Sequence, residues 1–320
     1  MRQHYSFRRE RLRRSSLANR CPICDGTGCG QSEGFVLCFR VQDGSIKQAN
    51  SGAWLHTNIN VERVPFERRI ETPLASIERR NLVYATMLDA LSLNQKHGEH
   101  LANARRLSNA TIIKAGFRSV PNRFRGDAIA AALSHRFELK GVPGFWRKAG
   151  QWVMRFAGCD GFYIPIRNAV GQIEALQIRS FRGDSKYLLV SSSDLPDGVS
   201  SGAPAHFTGH PCATVIVTEG ALKAEVIAEA KRRRNESDYT IGLVAVGSFS
   251  DSFGANLRRI CPFIRTVELA FDADWQTNDK VQMQMRRLAA SVKSAGLALK
   301  VLTWKSEAKG FDDELLRGER

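Results

Sequence analysis

The sequence predicts an α/β chain. Its C-terminal third reads as Rossmann-like βα units, preceded by a basic α+β subdomain, a helical connector and a small cysteine-bearing ribbon. Three observations predict this. Two short β-branched runs near the C-terminus each end in acid and pass into an amphipathic helix: TVIVTEGALKAEVIAEA, with Glu219 at its turn, and TVELAFDADWQTNDKV, with Asp272 and Asp274. Four cysteines crowd into CPICDGTGCGQSEGFVLC near the N-terminus. Between them, GFYIPIRNAVGQIEALQIRS alternates like a hairpin and carries cations.

A chain of 320 residues allows two or three compact units at roughly 100–200 residues each. The expected division is a basic disordered arm over 1–20, a ribbon over 21–56, a linker over 57–76, a helical connector over 77–140, a strand-rich basic subdomain over 141–210 and the βα domain over 211–320. A net charge of +15 and a pI near 9.9 favour a polyanionic partner, most simply nucleic acid. Seven arginines and one glutamate in the first twenty residues fit a solvated tail and, compatibly, a nucleic-acid-binding arm. No apolar run approaches the roughly 20 residues that span a bilayer, and no apolar segment follows the basic N-terminus as in a secretory signal. A cytoplasmic protein without membrane partners is expected.

Cys21 and Cys24 form a C-x2-C knuckle, with Cys29 and Cys38 following. Four thiolates can close a tetrahedral structural Zn²⁺ site. So short a segment cannot bury a sufficient core, so metal would supply its folding energy. A redox use of the knuckle is the alternative, but no thioredoxin-like βαβ pattern surrounds it. His56, in GAWLHTN, reads as a polar residue of the ribbon's last strand, with a fifth-ligand role as the lesser option. Cys159, Cys212 and Cys261 are scattered and read as incidental.

Residues 57–76 hold two prolines and little periodicity. From Ile77 to about Leu107, apolar residues at Leu82, Tyr84, Ala85, Leu88, Leu91 and Leu101 recur at helical spacing. Ser108 opens a second helix that Gly116 can close, and DAIAAALSHRFEL makes a third. This block is either a packed helical hairpin or a DNA-contacting module. Strands at Phe162–Ile166 and Gln172–Ile178 then flank a turn at Asn168–Gly171. Arg167, Arg179, Arg182 and Lys186 sit on or beyond them, giving a phosphate-binding surface or a solvated polar face.

In the last third, parallel strands would bring Glu219 and the Asp272–Asp274 pair to their carboxyl ends, where α/β folds place sites. A glutamate facing Asp-x-Asp makes an oxygen cage for Mg²⁺, and such a cage can run phosphoryl or nucleotidyl transfer. IGLVAV, ending in Gly247, supplies the middle strand. Asp312, in KGFDD after the strand VLTW, is either a further Mg²⁺ ligand or the N-cap of the last helix. Lys223, one turn beyond Glu219, reads as a surface charge.

These acids resemble the TOPRIM domain of DnaG-like primases, type IA and II topoisomerases and some nucleases, over roughly residues 212–318. The cysteine run is similar to the N-terminal zinc ribbons of primase-like proteins of phages, plasmids and integrative elements, through Cys21, Cys24, Cys29, Cys38, Arg40, Val41, Gly52, Trp54, Leu55 and His56. The resemblance implies that this ribbon contacts template DNA. Pro165, Ile166, Arg167, Gly171, Arg179, Lys186, Tyr187, Leu188 and, one residue displaced, Ser191 resemble the block before TOPRIM in DnaG-like cores, which topoisomerases and TOPRIM nucleases lack. Ser201–His206, the TEGALKA turn and the terminal KGFDD resemble short TOPRIM proteins of mobile elements.

The resemblance implies a DNA primase that makes short RNA primers for a mobile element. It would be a nucleotidyltransferase drawing on a single-stranded DNA template and nucleoside triphosphates. Glu219, Asp272, Asp274 and Asp312 would hold Mg²⁺ or Mn²⁺, and Arg167, Arg179 and Lys186 would bind nucleotide or DNA. No G-x4-G-K-[ST] loop occurs, so a separate replicative helicase is the expected partner. Two alternatives stand beside this: a non-catalytic DNA-binding replication accessory and a TOPRIM nuclease.

Overall fold

The computed structural model describes residues 13–15, 20–32, 34–49, 52–57, 72–183, 185–193, 195–245, 248, 250–273, 278–304 and 307–318. Asp274, Gly247, most of the basic arm and most of the linker lie outside the described residues. The chain forms two compact units, Met1–Glu71 and Thr72–Arg320.

The first unit is an antiparallel sheet of five short strands: β1 (Arg13–Arg14), β2 (Gly30–Gln31), β3 (Phe35–Cys38), β4 (Lys47–Gln48) and β5 (Trp54–Thr57), in the order β1-β2-β3-β5-β4. Arg13 and Arg14 pair with Gln31 and Gly30 at the edge of this sheet. The core is small: Cys21, Ile23, Cys24, Cys29, Val36 and Cys38. Val36 and Cys38 lie two apart on β3, which places both on its inner face.

In the second unit, α1 (Ile77–Asp89) starts where the Ser76 hydroxyl accepts from the Arg79 amide at 3.3 Å. α2 (Gln95–Glu99) runs into a wider π turn at His100–Ala104. Ser108 caps α3 (Asn109–Ala115), and Gly116 ends it. After β6 (Arg118–Ser119), Asn122 caps α4 (Arg123–Ser134). A hairpin of β7 (Phe145–Lys148) and β8 (Gln151–Met154) follows. Next come β9 (Gly161–Arg167), β10 (Ile173–Ser180) and β11 (Tyr187–Leu189), in an antiparallel sheet ordered β11-β10-β9-β6. The β9–β10 turn lies where Asn168–Gly171 signals it.

The helical block is not a free connector. Val83, Tyr84, Met87 and Leu88 of α1 join Ala130 and Leu133 of α4 and Tyr163, Leu176 and Ile178 of the sheet in one core. The buried face of α1 is offset from the apolar spacing read in the sequence: Leu82 is 55% exposed while Val83 is sealed. From that buried face Tyr84 donates to the Pro143 carbonyl at 2.8 Å.

The third sheet comprises β12 (Ala205–Thr208), β13 (Thr214–Glu219), β14 (Thr240–Leu243), β15 (Thr266–Ala270) and β16 (Ala298–Val301), in the order β12-β14-β13-β15-β16. β13 to β16 are parallel, and β12 is an antiparallel edge strand. This sheet therefore begins upstream of residue 211. Its helices are α5 (Ala221–Arg233), α6 (Phe253–Ile260), α7 (Asp279–Ser294) and α8 (Phe311–Arg317). Alternation along β13 serves two layers. Val215 and Val217 pack with Phe253 and Leu257 of α6 and Leu288 and Val292 of α7. Ile216 packs with Ile227 and Ala230 of α5 and Leu315 of α8. Apolar on both faces, β13 is a central strand, as a parallel sheet requires. Among the described residues no helix is long and apolar enough to cross a membrane.

Candidate functional site

β13 and β15 are adjacent and parallel, with Thr218 paired to Ala270. Glu219 ends β13, and Asp272 follows β15 by two residues. Both therefore stand at the carboxyl edge of the sheet, as the sequence implies. Gly220, at φ +87, turns the chain from strand into α5 in a conformation that side chains resist. From the other side, Lys309–Gly310 meets the Asp272 loop through an Ala273 amide donating to the Lys309 carbonyl at 2.7 Å. Asp312 lies inside the first turn of α8. Gly310 occupies the N-cap position, so the capping role for Asp312 is set aside.

Three polar atoms surround Gly310. A Cβ there would strike Asp312 Oδ1, sit 2.9 Å from Asp272 Oδ1 and 3.4 Å from Lys223 Nζ. Asp312 is 1% exposed, and its Oδ1 is buried without a hydrogen-bond partner. Its Oδ2 meets Arg105 Nη1 at 3.3 Å. Burial pushes the Asp312 carboxyl up, with Asp313 and Asp272 adding to the rise and Lys223 and Arg105 opposing it.

Lys223 is not the surface charge expected of it. Its ammonium donates to Asp272 Oδ1 from the first turn of α5. Burial disfavours that charge, but Asp272, Asp312 and Glu219 outweigh the cost and raise its pKa. Lys309 Nζ stands 3.9 Å from Asp272 Oδ2. Glu219, Asp272 and Asp312 thus face Lys223, Lys309 and Arg105. An orphaned buried oxygen beside a cradle that a Cβ would fill suits a hard divalent cation such as Mg²⁺ or Mn²⁺. Glu219, Asp272 and Asp312 are the described carboxylates at this edge that could hold it, in competition with Lys223, although their oxygens do not all lie within 4.8 Å of one another.

The cations of the strand-rich sheet divide. β9 and β10 are antiparallel, with Arg167 paired to Ile173 and Arg179 to Phe162. Arg167 and Arg179 therefore lie at opposite ends of the hairpin. Arg167 donates to the Gly171 carbonyl at 3.0 Å, and burial lowers its pKa. The Arg179 guanidinium lies 5.1 Å from the Phe181 ring and 5.4 Å from the Tyr187 ring, and donates to the Ser180 carbonyl. Lys186 is exposed. His100 neighbours Arg105 and Arg179; burial first, then those charges, push its pKa down to about 4.

Sequence reasoning missed Arg105, and it gave no role to Lys309 of KGFDD or to the buried pair under Ser201–His206. His206 Nδ1 accepts from the Arg167 amide at 3.1 Å, which places the proton on Nε2, 3.0 Å from Glu225 Oε1. Thr208 donates to the other Glu225 oxygen at 3.0 Å. Glu225 sits six residues after Glu219 on α5, and polarity on an otherwise buried helix face was its only signal.

Among the described residues, the four cysteines form the only group of three or more metal-ligating side chains whose donor atoms lie within 4.8 Å of one another. All four are buried. Cys24 and Cys29 Sγ are 3.7 Å apart, against about 3.8 Å for thiolates bound tetrahedrally at 2.3 Å from zinc. The sulfurs share their protons: Cys21 lowers Cys24 and Cys29, while Cys24 raises Cys21 and Cys21 raises Cys38. The four cysteines fit and could bind zinc. His56 stands apart from the cluster, with Nε2 2.9 Å from the Val41 carbonyl. Cys261 is buried beside Tyr239, and Cys159 and Cys212 are half-buried.

A protein-family model described as "Domain of unknown function (DUF3854)" matches residues 205–319. No curated protein matches the sequence. Solved structures do. One is the zinc-binding and RNA polymerase domains of the Aquifex aeolicus primase, with TM-score 0.56 and 15% identity over 76% of this chain and 59% of that one. Another is the RNA polymerase domain of Mycobacterium tuberculosis primase DnaG, with TM-score 0.56 and 16% identity over 76% and 82%. A third is a DnaG primase catalytic domain bound to ssDNA, with TM-score 0.55 and 14% identity over 76% and 75%. The fold is similar to that of DnaG primase catalytic cores. At such identities the likeness is one of fold, and this chain spans 59% of the Aquifex structure's length. Within the primase-like fold, residues 205–319 contain the complete third sheet and every carboxylate of the acidic site.

Proposed function

We propose that this chain is a DNA primase-like nucleotidyltransferase of TOPRIM type, which makes short RNA primers on single-stranded DNA for a mobile element. The observation that carries the proposal is the meeting of Asp272 and Asp312 around Gly310 at the carboxyl edge of the parallel sheet, with one Asp312 oxygen left unbonded. The primase-core likeness supports it.

Glu219, Asp272, Asp274 and Asp312 would hold Mg²⁺ or Mn²⁺, which when bound polarises the α-phosphate of an incoming nucleoside triphosphate. The chain's own residues do the rest. Arg105 holds Asp312 by its second oxygen and keeps the first turned toward Asp272. Lys223 holds Asp272 in place and supplies positive charge where phosphate charge develops. Lys309, which is exposed, can swing from Asp272 to a phosphate oxygen. Arg179 and Lys186 take template or nucleotide phosphates, a contact with little sequence preference. Arg167, folded onto its turn, contributes less than either. The ribbon, with zinc on Cys21, Cys24, Cys29 and Cys38, would contact template, and a separate helicase would deliver the strand.

The test is primer synthesis on single-stranded DNA with labelled ribonucleotides and Mg²⁺ or Mn²⁺, with wild type beside Asp272→Asn. Oligonucleotides from wild type alone are expected. Strand cleavage in place of synthesis would make the protein a nuclease. The accessory reading has its own observation: Asp272 is already neutralised by Lys223. DNA binding that is intact in both proteins, without products, would establish it.

A further inference from the structure

Arg40 stands over the cysteine cluster. Its Nη1 lies 3.5 Å from Cys24 Sγ and 3.4 Å from Cys29 Sγ, and its Nη2 donates to the Thr27 carbonyl at 2.9 Å. One terminal guanidinium nitrogen therefore spans two sulfurs, with the other terminal nitrogen fixed by backbone. The path is kept clear at Gly26, where a Cβ would lie 2.6 Å from Arg40 Nη1 and 3.3 Å from Cys24 Sγ. The third sulfur is met by main chain: the Arg40 and Val41 amides both point at Cys38 Sγ, at 3.4 Å each. Val41 is itself pinned, because its carbonyl accepts from His56 Nε2.

Four thiolates around Zn²⁺ carry a net charge of −2 by simple count, and all four sulfurs belong to buried side chains. Hydrogen bonds to ligand sulfur withdraw charge, orient the ligands and tune metal retention. We infer that Arg40 is a positioning residue of the zinc ribbon. It bridges Cys24 and Cys29 to offset thiolate charge and slow metal loss, and Gly26 is small to admit it. This rests on the zinc reading and is independent of catalysis. The same contact covers two of the four sulfurs, so it also limits attack on them by electrophiles.

The experiment uses the full chain loaded with zinc and follows metal release to a chromophoric chelator. Wild type is compared with Arg40→Lys, Arg40→Gln, Gly26→Ala and the double variant Gly26→Ala/Arg40→Gln. Arg40→Gln is expected to release zinc at least about tenfold faster. Arg40→Lys, which keeps charge but loses the second nitrogen that the Thr27 carbonyl holds in place, falls between. Gly26→Ala accelerates release in the wild-type background and adds nothing to Arg40→Gln. In cobalt-substituted protein, the sulfur-to-metal charge-transfer band shifts to lower energy in Arg40→Gln. Release rates within twofold of wild type with an unmoved cobalt band would overturn the inference, even if the variants fold. A Gly26→Ala effect that adds fully to that of Arg40→Gln would overturn the role given to Gly26. Wild-type protein that holds no zinc would overturn the zinc reading itself, and the inference with it.

Discussion

Lys223, on the first turn of α5, reaches the carboxylate of Asp272 beyond the end of β15, so a resident ammonium occupies the edge of the acidic site. Lys223→Met leaves Asp272 facing Asp312 with one cation fewer. Removing one partner of a buried pair costs about 3–5 kcal/mol. The ammonium keeps some solvent at 22% side-chain exposure, so a loss of about 2 kcal/mol is expected. Mn²⁺ should restore more stability to the variant than it adds to wild type, because a ligand that binds only the folded state stabilises it. Melting with and without Mn²⁺ checks this; an equal metal-induced rise in both proteins would count against the site.

Asp312 has a folded-state pKa raised above its unfolded value, first by burial. Its contribution to stability is therefore fully present below the unfolded pKa, near 4, and is lost as pH rises through the higher folded pKa. Asn imitates the protonated acid. Asp312→Asn should thus gain stability relative to wild type as pH increases from about 4 toward 7, while primer synthesis is abolished. Urea unfolding across that range reads the difference, and a flat difference would show that Asp312 does not titrate as described.

Zinc should decide whether the ribbon folds. Four of the six residues in its buried cluster are the cysteines themselves, and structural zinc supplies about 10–16 kcal/mol in comparable small modules. Chelation or Cys38→Ser should expose residues 21–57 to protease and leave 72–320 resistant. A ribbon that stays protected after metal removal would sink this expectation.

Lys186 and Arg179 should separate by phenotype. Lys186→Glu should weaken binding to single-stranded DNA and reduce the salt dependence by about one charge contact, with stability unchanged. Arg179→Ala removes a guanidinium from between Phe181 and Tyr187 and should lower stability by about 1–2 kcal/mol as well as binding. Fluorescence anisotropy at several salt concentrations, beside thermal melts, distinguishes the two.

Legibility in the sequence followed how local the cause was. The knuckle, the β9–β10 turn and the acids after β13 and β15 each depend on a few neighbouring residues, and all could be read. The face of α1 was read through Leu82 and not Val83, because the choice between these neighbours rests on Ala130, Leu133, Leu176 and Ile178, which are distant in the chain. Lys223 was misjudged because its burial depends on Asp272, 49 residues away. Arg105 meets Asp312 across 207 residues, and no spacing rule reports such a contact. Arg179 was read as a charge, but its aromatic neighbours also make it part of the packing.

His206 carries a consequence for anyone who would cut this chain. The matched family region begins at Ala205 and keeps the imidazole and Glu225, yet the amide that fixes the tautomer belongs to Arg167. Ala221, Leu222 and Val226 would likewise lose Phe162, Ile164 and Ile166 from their shared core. Residues 205–319 are thus a unit of inheritance that borrows its seal from upstream, and an excised fragment should be less stable than its alignment boundaries promise.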